Sequence, residues 1–94
     1  MRNFTVSKEG DKIVITCNSA KKVLLRLVRV EYEVTTLTVE QERIPKTISE
    51  EIVIEKEMKN GDKIEIKAQL DTVKKVSLIY RDAYGITLRD DIEL

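Results

Sequence analysis

The sequence predicts an all-β protein, an antiparallel β-sandwich of about seven or eight short strands folded as a single domain over residues 1–94. Three observations predict this fold class. Apolar and polar residues alternate with a period of two in most segments, turn-forming residues separate these segments at short intervals, and β-branched residues are frequent. A small β-barrel of the oligonucleotide-binding type is the alternative architecture.

Two short strands are expected first. Phe4 to Ser7 forms one strand, the turn Glu9-Gly10-Asp11 follows, and Lys12 to Cys17 forms the next. Cys17 continues the phase of Ile15, and free cysteine is among the most frequently buried residues. We therefore interpret Cys17 as a core residue, with a reactive or intermolecular thiol as the alternative.

A change of phase marks the segment from Lys22 to Val34. Its apolar residues first occupy odd positions and then even ones: Val23, Leu25 and Leu27, followed by Val28, Val30, Tyr32 and Val34. An uninterrupted strand cannot hold both sets on one face, because a shift of one residue exchanges the faces. The sequence therefore predicts a β-bulge between Leu27 and Val28.

Leu37 and Val39 predict a further strand, after which the chain becomes polar. The segment Ile44-Pro45-Lys46-Thr47 holds the single proline of the chain. Because proline has no N–H to donate to a strand ladder, we expect an ordered loop or a sheet edge at this point.

Residues 52–70 are predicted to form one amphipathic β-hairpin around Asn60-Gly61, a pair that supplies the two positive-φ residues of a tight hairpin turn. The residues expected on its buried face are Ile52, Ile54, Met58, Ile64, Ile66, Ala68 and Leu70. A capped helix from Ser49 to Lys59 is the alternative, since its charges match a helix dipole. The run of three β-branched residues favours the strand.

The C-terminal quarter predicts a strand from Val73 to Tyr80, a turn, a short strand at 86–88 and a last strand ending at Leu94. The pattern Val76-x-Leu78-Ile79-Tyr80-x-Asp82-x-x-Gly85, followed by Ile92-x-Leu94, resembles the closing hairpin of immunoglobulin-like and fibronectin-like sandwich domains of archaeal and bacterial surface proteins. The resemblance implies that Asp82 starts the turn and Gly85 ends it. The cysteine pair and core tryptophan of the immunoglobulin family are absent from this sequence.

Composition excludes the commonest catalytic chemistries. The chain has no histidine and one cysteine, so a Ser-His or Cys-His pair and histidine-containing metal sites are ruled out. Asp82, Asp90, Asp91 and Glu93 lack the spacing of a calcium loop with its internal glycine. We expect no enzyme activity, no cofactor and no bound metal.

The charge balance gives the chain no overall attraction to nucleic acid or anionic lipid, since 17 basic residues offset 17 acidic ones. Basic residues gather in two clusters, Lys21, Lys22, Arg26 and Arg29 and then Lys74, Lys75 and Arg81. Nucleic-acid binding uses stacked aromatics, and of Phe4, Tyr32, Tyr80 and Tyr84 we place Tyr32 and Tyr80 in the core. A nucleic-acid-binding barrel is therefore the less favoured function.

Compartment and source are expectations from composition. No apolar run approaches the ~18 residues of a membrane span and no signal peptide is recognisable, so we expect a soluble chain, cytoplasmic or the soluble part of a surface protein. Eleven Glu and eleven Lys accompany eleven Ile and ten Val. This bias is typical of hyperthermophiles and predicts a thermophilic archaeon or one of its viruses.

The function that the sequence favours is a non-enzymatic module for protein interaction or assembly, at a cell surface or in an appendage or virion. The run Thr35-Thr36-Leu37-Thr38-Val39 combines high β propensity with no charge and no proline. We predict that it pairs with a second copy in a homodimer or accepts a strand from a protein partner. Tyr84, which lies in a turn, is a further candidate contact, with folding back over its own turn as the alternative. The predicted contact residues are Thr36, Leu37, Thr38, Val39 and Tyr84.

Overall fold

The computed structural model describes residues 3–37, 39–40 and 42–94. Within them lie seven antiparallel strands and no helix. The strands are β1 Phe4–Glu9, β2 Lys12–Cys17, β3 Val23–Leu37, β4 Arg43–Met58, β5 Lys63–Lys67, β6 Val73–Arg81 and β7 Thr87–Glu93. They form a three-stranded sheet of order β1-β2-β5 and a four-stranded sheet of order β4-β3-β6-β7. The predicted all-β sandwich is confirmed.

One apolar core lies between the two sheets. Its fully buried side chains come from both sheets: Phe4, Ile13, Ile15, Cys17, Leu25, Val28, Val30, Tyr32, Met58, Val76, Leu78 and Tyr80. Phe4 meets Tyr80 edge to face, with ring centroids 4.9 Å apart. The core positions predicted for Cys17, Tyr32 and Tyr80 are thus confirmed.

The sheets do not close on each other, so the small-barrel alternative is wrong. Each sheet ends in two edge strands, β1 and β5 in one and β4 and β7 in the other. A closed barrel has no such edges.

The predicted bulge in β3 is present, one or two residues earlier than expected. Pairing with β6 shifts between Leu25 and Leu27, which leaves Arg26 without an opposite residue. In β4 two residues, Ile54 and Glu55, stand opposite Arg26, and Glu55 has a φ of 48°. The guanidinium Nε of Arg26 donates to Glu55 Oε1 at 3.1 Å. The shift lets Leu25 and then Val28 face the same core.

The hairpin predicted for residues 52–70 is wrong, because β4 and β5 belong to different sheets. β4 pairs with β3, whereas β5 pairs with β2. The connecting turn is closed by the bond from Asp62 N–H to Lys59 O at 3.0 Å, and within it positive φ occurs at Gly61 (92°) but not at Asn60. One positive φ at the third position defines a type II turn rather than the type I′ turn of a tight hairpin.

The faces predicted for the same segment are largely right. Met58, Ile66 and Ala68 are buried, and Ile52, Ile54 and Ile64 pack against the core from partly buried positions. Leu70 is the exception and is exposed. The helix alternative for residues 49–59 is wrong, since β4 continues to Met58.

The C-terminal hairpin follows the predicted turn chemistry. Asp82 Oδ1 accepts bonds from the N–H groups of Tyr84 and Ile86, each at 2.9 Å, and Gly85 has a φ of 82°. The two short strands predicted after this turn are one continuous strand, β7.

Candidate functional site

β3 and β4 extend past the rest of the sandwich as a two-stranded ribbon. Pairing of β3 with β6 ends at Tyr32↔Val73, whereas pairing with β4 continues to Leu37↔Arg43. We call residues 33–37 and 43–47 the arm, and the remaining sandwich the body. At about 3.3 Å a residue the arm adds roughly 17 Å, in a molecule that measures 54 × 26 × 23 Å.

Tyr32 marks the end of the body. Its ring is buried, and its hydroxyl donates to Glu50 Oε2 at 3.2 Å and accepts the N–H of Gln69 at 3.1 Å. Burial is the main cause that raises the pKa of Tyr32, and the neighbouring Glu50 carboxylate adds to the rise, against the opposing Gln69 bond. The hydroxyl thus ties the loop after β5 to the four-stranded sheet where the core ends.

The inner face of the arm continues the core face without a cover. Opposite residues of a strand pair share a face, so Val34 with Lys46 and Thr36 with Ile44 lie on the side that Tyr32 and its partner Ile48 occupy at the end of the body. Ile44 is 41% exposed and Ile48 47% exposed. The face that is buried in the body therefore reaches solvent from Ile48 outward, and Lys46 is the charged residue among its uncharged side chains.

The arm leaves a vacant strand position beside β3. Glu33 donates its N–H to Thr72 O at 3.0 Å, so the main-chain groups of Glu33 point toward the β6 side. Successive residues of an antiparallel strand point to alternate sides. The N–H and C=O groups of Thr35 and Leu37 therefore point to the same side, where no strand lies among residues 3–37, 39–40 and 42–94.

The opposite edge of the arm is protected by Pro45. Pro45 stands opposite Thr35, and because the groups of Thr35 point away from β4, those of Pro45 point away from β3. The missing N–H of proline thus falls on the outer edge of the arm, where it removes a donor. The sheet-edge prediction for Pro45 is confirmed, but this residue belongs to a strand and not to a loop.

The predicted contact residues lie at two ends of the molecule. Thr36 and Leu37 are in the arm, with Leu37 68% exposed, and Val39 is exposed in the turn that follows. Thr38 lies outside the described residues. Tyr84 lies past the other end of the sheet, since it follows Arg81, the partner of Leu24. The sequence did not predict that Ile44 and Ile48 belong to this site, although both lie at even-numbered positions on the same strand face as Ile52.

Tyr84 projects from a rigid turn. The residue is 74% exposed, and the Lys21 ammonium lies 4.5 Å from the ring centroid and also contacts the tyrosine hydroxyl. The two bonds to the Asp82 carboxylate fix the main chain beneath it. The side chain is therefore presented to solvent by a fixed support.

Carboxylates accompany most of the basic residues singled out by the sequence. Lys22 lies 3.8 Å from Glu57 and Arg26 3.1 Å from Glu55. The Glu31 carboxylate lies 3.8 Å from Arg29 and 3.7 Å from Lys75. Such pairs stabilise a surface little. They do, however, interrupt the positive groove that binding to a nucleic-acid backbone requires.

The C-terminal carboxylates are engaged with protein donors. Asp91 Oδ1 accepts the Ser77 hydroxyl at 2.6 Å and the Arg89 Nε–H at 2.9 Å, and these two bonds lower the pKa of Asp91. Asp90 Oδ1 accepts the Tyr80 hydroxyl at 3.3 Å. Over the described ranges, no three His, Cys, Asp or Glu residues are grouped so that they could hold a metal ion.

Comparisons with protein-family models, curated proteins and solved structures found no match for this chain. The part of the chain that the structure describes contains no helix long and apolar enough to cross a membrane. Functional interpretation therefore depends on the geometry of the arm and of the Tyr84 turn.

Proposed function

We propose that this protein is a non-enzymatic module for protein interaction or assembly, and that the arm is its principal contact element. The observation that carries the proposal is the arm itself, which has an uncovered apolar face and a vacant strand position beside Thr35 and Leu37. A two-stranded ribbon is marginally stable alone in water. Contact with another chain would cover its apolar side chains and satisfy its open main-chain groups.

The body supplies a rigid support for this contact. Its two sheets enclose a continuous apolar core, and its tyrosine hydroxyls are hydrogen-bonded at both ends of the sheet. Tyr84 is the second contact that we propose, since exposed tyrosine on a fixed turn binds with little loss of side-chain freedom. A scaffold with contacts at opposite ends suits assembly at a cell surface, in an appendage or in a virion.

The strand order supports kinship with immunoglobulin-like and fibronectin-like sandwiches. In the constant-type immunoglobulin arrangement the fourth strand belongs to the sheet of the first, second and fifth strands. Here β4 instead lies beside β3 in the other sheet, which favours the fibronectin-like side of the resemblance. Domains of both kinds commonly serve as scaffolds that present strands and loops to other proteins.

Shortening the arm tests the proposal. Val34 and Lys46 are opposite residues whose main-chain groups face each other, so replacing residues 35–45 by Asn-Gly should close a two-residue hairpin at the end of the body. We expect the melting temperature to change little. Complexes that the full chain forms, with itself in sedimentation velocity or with proteins of a host extract in affinity capture, should be lost.

The matched control leaves the arm intact and changes another edge. Lys63→Gln with Lys67→Gln alters the exposed face of β5 and should preserve every complex. Complexes that persist at full strength without the arm would contradict the proposal.

A further inference from the structure

The vacant strand position has defined ends and a defined set of open groups. Thr72 and Val73 close it on the body side, where Glu33 N–H bonds to Thr72 O. Between that point and the end of β3, two residues offer main-chain donors and acceptors, Thr35 and Leu37. Their spacing of two residues is the repeat of hydrogen-bonded positions in an antiparallel ladder.

We propose that the occupant of this position is the same arm of a second copy of the chain, related by a two-fold axis beside Thr36. The two arms then form one antiparallel four-stranded sheet of order β4-β3-β3-β4. This inference rests on the proposed function, in which the arm is the contact element, and it adds the identity of the partner and the register.

The two-fold symmetry and the room beside β3 determine the register of the two arms. A two-fold axis perpendicular to the sheet pairs residues of the same face, so Thr35, Thr36 or Leu37 can stand opposite itself at the centre. With Thr36 at the centre, Thr35 of each copy faces Leu37 of the other and exchanges both hydrogen bonds with it. All eight open groups are then satisfied by four bonds.

The neighbouring registers fit less well. With Thr35 at the centre, the second arm slides two residues toward the body. There Thr72 and Val73 already occupy the strand position beside β3. With Leu37 at the centre, Thr35 faces Val39, which lies in the turn and not in the strand. Thr36 is the centre that satisfies the edge without a clash.

The charges on this edge allow self-pairing. Glu33 is the nearest charged residue, and in the Thr36 register it faces the position of Val39, which is uncharged. The edge of β5 shows the contrast, because a two-fold axis at Glu65 would oppose glutamate to glutamate and Lys63 to Lys67. Like charges opposite one another destabilise a strand pair. The arm edge is thus free of like-charge contacts in the Thr36 register, whereas the β5 edge opposes like charges when it is centred on Glu65.

Two proline variants of the full chain test the pairing. Thr35→Pro removes the donor that points into the vacant position, whereas Thr47→Pro makes the same change on the edge that Pro45 already protects. Proline at Thr36 would instead remove a donor that faces β4. In sedimentation equilibrium we expect the full chain to dimerise and Thr35→Pro to weaken the dimer by about tenfold to a hundredfold, the effect of losing one bond in each half. Thr47→Pro should leave the dimer within about threefold of the full chain, since it removes no bond of the pair.

A cross-link tests the register. Thr36 opposite Thr36 is a non-hydrogen-bonded pair with Cα atoms roughly 4.5 Å apart, a separation that a disulfide can span. Thr36→Cys should therefore form a covalent dimer under mild oxidation, and Thr47→Cys should stay monomeric, while the buried Cys17 remains reduced in both. A monomeric chain at high concentration, or equal cross-linking of the two variants, would overturn the second-copy proposal. If arm-dependent capture of another protein persisted in that case, the proposed function would stand with a different occupant.

Discussion

The body and the arm are built from the same alternating pattern, yet they differ in what covers their inner face. Ile15 in β2 and Ile44 in β4 both point to the inner side of their sheets, and Ile15 is 0% exposed whereas Ile44 is 41% exposed. In the body a second sheet supplies the opposite wall, and beyond Tyr32 it does not. Alternation thus defines a face, and the neighbouring sheet decides whether that face is buried.

The edges of the two regions differ in the same way. The β5 edge of the body is short and alternates lysine with glutamate, and in β7 Asp90 points inward opposite buried Leu78. Short length, exposed lysines and inward charges are ordinary defences against strand addition. In the arm, Pro45 protects one edge and Thr35 and Leu37 leave the other open.

Truncating the two isoleucines should give the largest difference between the regions. Ile15→Ala removes a fully buried side chain and should lower the free energy of unfolding by about 2–5 kcal/mol. Ile44→Ala, measured at low concentration, should cost less than about 1 kcal/mol, since its side chain is already solvated. Urea denaturation followed by circular dichroism measures both. Equal losses would show that the arm is buried in solution.

Gly61→Val should weaken the body and spare the arm. A Cβ at Gly61 has free space around it, but the φ of 92° strains a β-branched residue. We expect a loss of about 1–3 kcal/mol, the usual cost of such a conformation. Hydrogen exchange should show faster exchange in β2 and β5 and little change in the arm. A fully stable variant would mean that the turn is of another type.

Tyr32→Phe tests the boundary between the regions. The change leaves the Gln69 N–H without its acceptor and should cost about 1–2 kcal/mol. The raised pKa of Tyr32 also makes a pH prediction. A hydroxyl with a raised pKa contributes stability that is complete below about pH 10 and is lost as pH rises through the folded-state pKa. The melting temperature of the Phe variant should therefore fall less steeply above pH 10 than that of the full chain, and parallel curves would contradict this role.

Asp91 should produce the smallest effect, on the acid side. Its pKa is lowered from an ordinary value of 3.8 by the Ser77 and Arg89 bonds, so its contribution is complete above that value and is lost as pH falls through the lower folded-state pKa. Asp91→Asn should flatten the decline of the melting temperature below about pH 4. Because Asp91 belongs to the body, shortening the arm should leave this decline unchanged.

Local chemistry explains which parts of the fold were predictable. The Asp82 and Gly85 turn and the bulge near Leu27 follow from side-chain chemistry and phase within one segment. Which strand a given strand pairs with does not follow from the chemistry of one segment. Asn60-Gly61 signals a tight reversal, but the same pair closes a hairpin or carries the chain across to the other sheet, and the number of positive φ values separates the two only in the structure.

The candidate site was predictable in the same partial way. The uncharged run from Thr35 to Val39 and the role of Pro45 are visible as composition. That Thr35 and Leu37 share one open edge depends on where β6 begins, at Val73, and no residue near the arm encodes that start. Long-range strand pairing therefore decides which residues of the uncharged run from Thr35 to Val39 have an open edge.

The single thiol of the chain can be used to measure how the body opens. Cys17 has no exposed surface, and its N–H and C=O bind Asp62 O and Gly61 N–H, each at 2.8 Å. An alkylating reagent reaches this sulfur when β2 separates from the turn that crosses between the sheets, whereas fraying of the distant ribbon leaves it shielded. The rate of alkylation of the unmodified protein therefore reports opening of the core, as the population of the open state when reclosing is faster than alkylation and as the opening rate when it is slower.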